Sequence, residues 1–143
     1  MKKVLRYLSL CGLLGYGYSP VSLKNALAQE LDFVGVDGGS TDPGPYYLGS
    51  GKGFVKRLQV KRDLALILPE IKKRSIPLII GSAGGSGAKP HVESVLEIMA
   101  EIAKEKGCYK ISLETGSNKE STLNFYRKNG FEIDKKHSCL KRL

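Results

Sequence analysis

The stretch that decides the fold is VGVDGGSTDPGPYYLGSG, residues 34–51. It begins as a short apolar strand and continues directly into a loop that contains several glycines, Asp37, Asp42 and a pair of tyrosines. A connection that only joins two elements usually takes about two to six residues. This loop is much longer and carries more polar chemistry than a turn requires, so we expect it to take part in function.

Strand and helix patterns alternate on both sides of this stretch. The predicted strands are residues 4–10, 31–37, 76–81 and 108–114, and the predicted helices are residues 19–30, 60–75, 89–107 and 118–130. Residues 131–143 are predicted to form a hairpin. This order indicates an α/β fold, with a three-layer, mainly parallel sheet, helices on both of its faces and a C-terminal β-hairpin.

Local signals support several of these elements. Ser19 and Pro20 are typical of the cap and the first residue of a helix. Apolar residues at helical spacing, including Leu64 and Ile67, predict the buried side of the next helix. The continuous apolar run IPLIIG, residues 76–81, predicts a strand that is buried on both faces.

Candidate site residues lie in the loops after the predicted strands, because ligands of parallel sheets bind beyond the carboxyl ends of the strands. In the loop DGGSTD, Asp37 and Asp42 are candidates for acid–base catalysis or for orienting a hydroxyl or a cation. Ligand-binding candidates in the same loop, as donors of backbone N–H or hydroxyl groups, are Gly38, Gly39, Ser40 and Thr41. The structural alternative is that both aspartates make only turn hydrogen bonds.

The loop GSAGGSGAKPH, residues 81–91, is a second candidate for anion binding, because it follows a strand and opens a helix. Its candidate ligand-binding residues are Ser82, Gly84, Gly85 and Ser86. His91 lies in the first turn of that helix and is either a general base or a polar residue packed near the loop. Tyr46 and Tyr47 either line the pocket or pack with bonded hydroxyls.

The charge of the chain bears on its partners. The 143 residues have a net charge of +9, and residues 104–143 hold ten basic and five acidic side chains. A basic tail suits nucleic acid, an acidic membrane or a phosphorylated ligand, and equally suits a solvated surface. The basic residues are not accompanied by an aromatic ladder, so nucleic acid is not an expected partner.

Other features exclude further classes of protein. Three cysteines without C-x-x-C spacing and only two histidines predict neither a disulfide framework nor a metal site. The N-terminus imitates a secretory signal, but Arg6 and three glycines interrupt its apolar segment. No apolar run approaches the roughly 18 residues of a membrane span. We therefore expect a cytoplasmic protein with a small-molecule ligand and no membrane partner, and an unpaired sheet edge favours a homo-oligomer.

The first part of the sequence resembles a known family. The segments CGLLGYGY, GVDGGSTDPGPYYLGSGK, KRDL and IPLIIGSAGGSGAKPHVE occur in one order over about residues 1–104. Together they resemble the N-terminal portion of the acyclic terpene utilisation (AtuA-like) family, which is associated with the breakdown of citronellol and geraniol. The family domain is several hundred residues long. The resemblance implies a role in this breakdown pathway, and it suggests an anionic or acyl-CoA-type ligand at the glycine-rich loops.

The remainder, about residues 103–143, resembles the carboxyl-terminal part of a GNAT-type N-acetyltransferase. The segment FYRKNGF fits the F-Y-x-x-x-G-F signature of that family. The resemblance implies acetyl-CoA or another CoA thioester as cofactor, Tyr126 as the acid that protonates the departing thiolate, and Asn118 as a cofactor contact. The chain departs from the pattern because Asn118 lies one residue early and the pyrophosphate-binding R-x-x-G-x-G/A loop is missing.

The sequence leaves several functions open. The leading hypothesis is an AtuA-like segment (residues 1–104) joined to a GNAT-like segment (residues 105–143), both incomplete and packed as one domain. The alternatives are an N-acetyltransferase and a truncated or fused chain without activity. VGVDGGST also resembles the phosphate hairpin of sugar kinases and actin-like ATPases, but the residues after it do not continue that pattern.

Overall fold

The structure is a computed structural model that describes residues 4–39, 45–109, 119–128 and 130–133. The chain divides into two compact units, Met1–Ile111 and Ser112–Leu143. The described elements of the first unit are, in order, β1 (Tyr7–Ser9), α1 (Pro20–Leu27), β2 (Phe33–Asp37), α2 (Pro45–Ser50), α3 (Arg57–Arg74), β3 (Leu78–Gly81), a single 3-10 turn (Ala83–Gly85) and α4 (Lys89–Glu105). The second unit contains α5 (Glu120–Lys128).

The three strands form one parallel sheet in the order β1-β2-β3. Tyr7 of β1 pairs with Phe33 of β2, and Asp37 at the end of β2 pairs with Gly81 at the end of β3. The predicted α/β class with a parallel sheet is therefore confirmed. Most of the predicted fourth strand and of the C-terminal hairpin lies outside the described residues.

One face of this sheet is covered by helices. Val34 and Val36 of β2 point to the same side, since side chains alternate along a strand, and both are buried. Val34 belongs to a cluster with residues of α1 and α3, and Val36 to a cluster with residues of α3 and α4. The helix α3 contributes to both clusters through Leu64 and Ile67, which are completely buried. It is the central helix of the described core.

The other face of the sheet is open among the described residues. Tyr7 stacks on Phe33 with ring centroids 5.3 Å apart, and Tyr7 is 63% exposed. Ile79 of β3, on the same face, is 56% exposed. The prediction that residues 76–81 form a strand buried on both faces is therefore wrong, because the side of β3 that carries Ile79 is exposed. The third layer stays a prediction.

Several helix boundaries differ from the sequence-based expectation. The predicted cap of α1 is confirmed, since the Ser19 side chain accepts a hydrogen bond from the N–H of Ser22 and Pro20 is the first helical residue, but the helix ends at Leu27, three residues before the predicted end. The helix α3 begins at Arg57, three residues before the predicted start. The helix α2, within the long loop, was not expected.

A buried carboxylate holds the loop after β1 against α3. Asp63 is completely buried, and its Oδ2 accepts hydrogen bonds from the N–H groups of Gly15 (2.8 Å) and Gly17 (3.0 Å). Its Oδ1 binds the guanidinium of Arg62, which also donates to the carbonyl of Gly15 (3.1 Å). Tyr18 donates its hydroxyl to the Asp63 carbonyl. Two backbone donors and one cation therefore compensate the burial of this charge.

The half-buried Tyr18 predicts a loss of stability at alkaline pH. Burial, and then the nearby Asp63 charge, raises the pKa of Tyr18 above its ordinary value of 10.0. A pKa raised in the fold favours the protonated phenol, so its contribution is complete below pH 10 and is lost as the pH rises further. We expect the free energy of unfolding to fall less steeply above pH 10 in Tyr18→Phe than in the wild type, as measured by urea titration at several pH values. Tyr16→Phe, which removes an exposed phenol, is the control, and identical slopes for all three proteins would contradict the assignment.

Candidate functional site

The loops after all three strands meet at Asp37, the last residue of β2. The N–H of Leu14, in the loop after β1, donates to the Asp37 carbonyl (2.7 Å). Gly38, which starts the loop after β2, donates its N–H to the carbonyl of Gly81 (2.6 Å), where the loop after β3 begins. The carboxyl ends of the strands thus bring the three sequence-predicted loops to one edge of the sheet.

Asp37 makes the turn hydrogen bond that the structural alternative predicts. Its Oδ1 accepts from the N–H of Gly39 at 3.0 Å, a pattern typical of an Asx turn. The Asp37 side chain is nevertheless exposed. Its proposed acid–base role therefore stays a prediction, with one carboxylate oxygen already used to shape the loop.

Gly38 and Gly39 allow two stretches of backbone to touch. A Cβ on Gly38 would lie 2.9 Å from both the Gly81 carbonyl oxygen and the Ala83 Cα, and a Cβ on Gly39 would overlap the backbone of Gly85. Real Cβ atoms do not approach backbone so closely, so any side chain would separate the loops. Gly38 and Gly39 were predicted as ligand-binding candidates, and in the structure they pack against the neighbouring loop.

The loop after β3 places His91 in a buried position. His91 is 1% exposed, and a Cβ on Gly84, whose φ is 75°, would overlap the His91 carbonyl. The Nδ1 atom of His91 lies 2.6 Å from the Oγ atom of Ser86, and its Nε2 atom lies 3.0 Å from the carbonyl oxygen of Lys52. Because a carbonyl only accepts, Nε2 carries a proton, and a neutral ring accepts the Ser86 hydroxyl proton at Nδ1.

A cavity of about 220 Å³ lies beside these loops. Its apolar lining consists of Leu14, Val55, Val60, Val95 and Ile98, its polar lining of Lys56, Arg57, His91 and Ser94, and its glycines are Gly38, Gly53 and Gly84. The lining holds two cationic side chains and no carboxylate. A cavity that combines apolar side chains with a few polar groups is the usual form of a small-molecule site.

Two cations of this cavity, Lys56 and Arg57, were not predicted as site residues from the sequence. Lys56 and Arg57 lie at the start of α3, which begins earlier than predicted, and neither belongs to a glycine-rich loop. Arg57 forms an ion pair with Glu101 of α4, whereas Lys56 has no ion pair among the residues that the structure describes. The adjacent basic residues Lys56 and Arg57 were the available signal in the sequence. The helix was predicted to begin only at residue 60, so the two residues were not placed at its N-terminus.

The remaining candidates lie elsewhere or outside the description. Tyr46 and Tyr47 pack edge to face, at 5.2 Å between centroids, and Tyr47 also packs on Phe54; neither tyrosine lines the cavity. Ser82 and Ser86 are exposed, and neither belongs to the cavity lining. Tyr126 is in the second unit, where its ring lies 5.9 Å from that of Phe131. The residues outside the described ranges are Ser40, Thr41, Asp42 and Asn118.

Comparison with known proteins gives one partial similarity. No protein-family model and no solved structure matches the chain. The potassium-transporting ATPase KdpC subunit of Clostridium kluyveri is 33% identical to it over 103 residues, which cover 68% of this chain and 47% of that subunit. The chain thus spans about half the length of the curated relative it matches. In the described residues, no helix is both long enough and apolar enough to cross a membrane.

The backbone contact between the two loops gives a prediction for Gly39. In Gly39→Ala the added methyl group overlaps Gly85, so the loops must separate, and we expect a loss of about 1–3 kcal/mol in the free energy of unfolding. Gly12→Ala is the matched control, because a Cβ there meets no atom within 4 Å. Chemical denaturation followed by circular dichroism measures both variants. Equal stability of the two would show that the loops do not touch as described.

Proposed function

We propose that this chain is an AtuA-like protein of acyclic terpene (citronellol and geraniol) catabolism, which binds a small anionic or acyl-CoA-type ligand at its glycine-rich loops. The resemblance of the first 104 residues suggests the pathway. The observation that carries the ligand class is the cavity, in which Lys56 and Arg57 stand beside an apolar lining. A carboxylate or thioester attached to a hydrocarbon chain matches both parts of that lining.

The size of the cavity limits what enters it. Drug-sized ligands occupy sites of about 300–1,000 Å³, and this cavity is smaller, at about 220 Å³. It accommodates an acyl group or a short branched chain, so the nucleotide part of a CoA thioester would lie outside, near the exposed Lys56. The helices α3 and α4 begin at the cavity without a side-chain cap, and their positive ends add to the attraction for an anion.

Three further expectations belong to the same proposal. They are a cytoplasmic location, a third layer over the open face of the sheet, and association into a homo-oligomer. The exposed Tyr7 and Ile79 on the open face support the last two, because large apolar side chains in water are favourably covered. The packing of the two family segments as one domain also stays a prediction.

The charge of Lys56 provides the test. Isothermal titration with acetyl-CoA, free coenzyme A and citronellic acid is expected to show binding, and Lys56→Gln is expected to weaken it about fivefold to tenfold through loss of a charge-assisted contact. Lys73→Gln is the control, since Lys73 lies at the other end of α3 and pairs with Glu70. If the folded wild type binds none of the three probes, or if both variants weaken binding equally, the proposal fails.

A second candidate is a GNAT-type N-acetyltransferase with Tyr126 as the general acid. The helix α5 lies within the predicted helix, and Tyr126 packs on Phe131, which brings two aromatic residues of FYRKNGF together. We expect acetyl-CoA with a panel of amines to release free thiol, and Tyr126→Phe to slow the release about 100-fold, in the usual range for loss of a general acid. A folded protein without acetyl-CoA turnover would exclude this candidate.

A further inference from the structure

We propose that Ser86 and His91 form a nucleophile–base pair that transfers an acyl group from a thioester or ester. The sequence analysis assigned Ser86 to ligand binding, and the proposed function requires no covalent step. The inference rests on the proposed function in one respect, the acyl chain, which enters the cavity that His91 lines. The geometry of the Ser86–His91 pair is argued only from the contacts among Ser86, His91 and Lys52.

The first contact is the one between nucleophile and base. The Ser86 Oγ to His91 Nδ1 distance of 2.6 Å is within the range for an activated serine and its base. Ser86 is exposed, so its hydroxyl is accessible to a substrate, whereas His91 is almost completely buried. An accessible nucleophile on a fixed, shielded base is the arrangement that acyl transfer requires.

The second contact orients the base. The Lys52 carbonyl accepts the proton on Nε2 of His91 at 3.0 Å, which leaves Nδ1 free of a proton and directed at the Ser86 hydroxyl. When Nδ1 takes up the hydroxyl proton, the same carbonyl dipole stabilises the imidazolium. Lys52 thus has the orienting role that a carboxylate has in serine hydrolases. Its main-chain carbonyl is a positioning group and contacts no substrate.

The loop backbone and the helix α4 complete the environment of the pair. The N–H of Ala88 donates to the Ser86 Oγ atom at 3.2 Å, which holds the hydroxyl in place. The helix α4 begins at Lys89, immediately after this loop, and its positive end favours negative charge that develops beside it.

The reaction follows from these positions. The Oγ atom of Ser86 forms a bond to the acyl carbon while its proton passes to Nδ1 of His91. The bond between the acyl carbon and sulfur then breaks, and the thiolate leaves with the proton from His91. Water then adds to the acyl carbon of the Ser86 ester and gives a proton to Nδ1 of His91. The bond between the acyl carbon and Oγ breaks, Oγ takes the proton back from His91, and the carboxylic acid leaves the free serine. The thioester and water are the two reactants, and no oxidant or reductant takes part.

A fluorophosphonate reagent tests the pair, because it forms a covalent bond only with activated serines. We expect mass spectrometry to find the label on Ser86 of the folded wild type and not in Ser86→Ala. His91→Gln retains an amide donor and acceptor but is no base, and its labelling rate is expected to fall about 100-fold. Ser22→Ala, which changes an exposed serine of α1, should label like the wild type.

Two results would overturn the pair: an unlabelled Ser86 in the folded protein, or equal labelling rates in His91→Gln and the wild type. If His91→Gln does not fold, the nitrogen NMR spectrum of the wild type decides instead, because the proposal requires Nδ1 of His91 to be unprotonated at neutral pH. Titration with acetyl-CoA separates this inference from the proposed function. If Ser86 is labelled but acetyl-CoA does not bind, only the proposed function is contradicted. If acetyl-CoA binds but Ser86 is not labelled, only the role of Ser86 as a nucleophile is contradicted.

Discussion

The contact on which the site depends is the approach of two backbones, from the loop after β2 and the loop after β3. Gly38 and Gly39 lie against Gly81, Ala83 and Gly85 without space for a side chain. The parallel pairing of β2 with β3 brings the two loops side by side, and the absence of Cβ atoms lets them close. Once closed, they form one wall of the cavity and hold the turn that leads to His91.

A buried charge plays the corresponding role at the loop after β1. The carboxylate of Asp63 accepts hydrogen bonds from two backbone N–H groups of that loop and from the guanidinium of Arg62. These bonds fix a polar loop to the central helix of an otherwise apolar core. Leu14 in the same loop is buried and lines the cavity. The anchor on α3 therefore positions part of the apolar lining as well as stabilising the fold.

In the part of the chain that the structure describes, helices cover one face of the sheet, whereas the strand–helix alternation suggests a three-layer fold. All three longer helices of the first unit pack on the side of Val34 and Val36. The opposite side carries Tyr7, Phe33 and Ile79, and this apolar surface is open in the part of the chain that the structure describes. Apolar strands such as IPLIIG therefore do not by themselves show that both faces of a sheet are covered.

The sequence by itself determined the order of β1, α1, β2, α3, β3 and α4, the cap of α1 and the three loops at one sheet edge, because hydrophobic periodicity and capping are local signals. It also indicated His91 and Ser86 as separate residues. Only the tertiary structure decided that they touch, that Lys52 orients the ring, and that Lys56 and Arg57 reach the cavity. It also showed that Asp63, inside α3, is a buried anchor for the loop after β1. Some of these contacts join residues that are distant in sequence, and others depend on where a helix begins or how the backbone turns. A periodic sequence pattern contains neither kind of information.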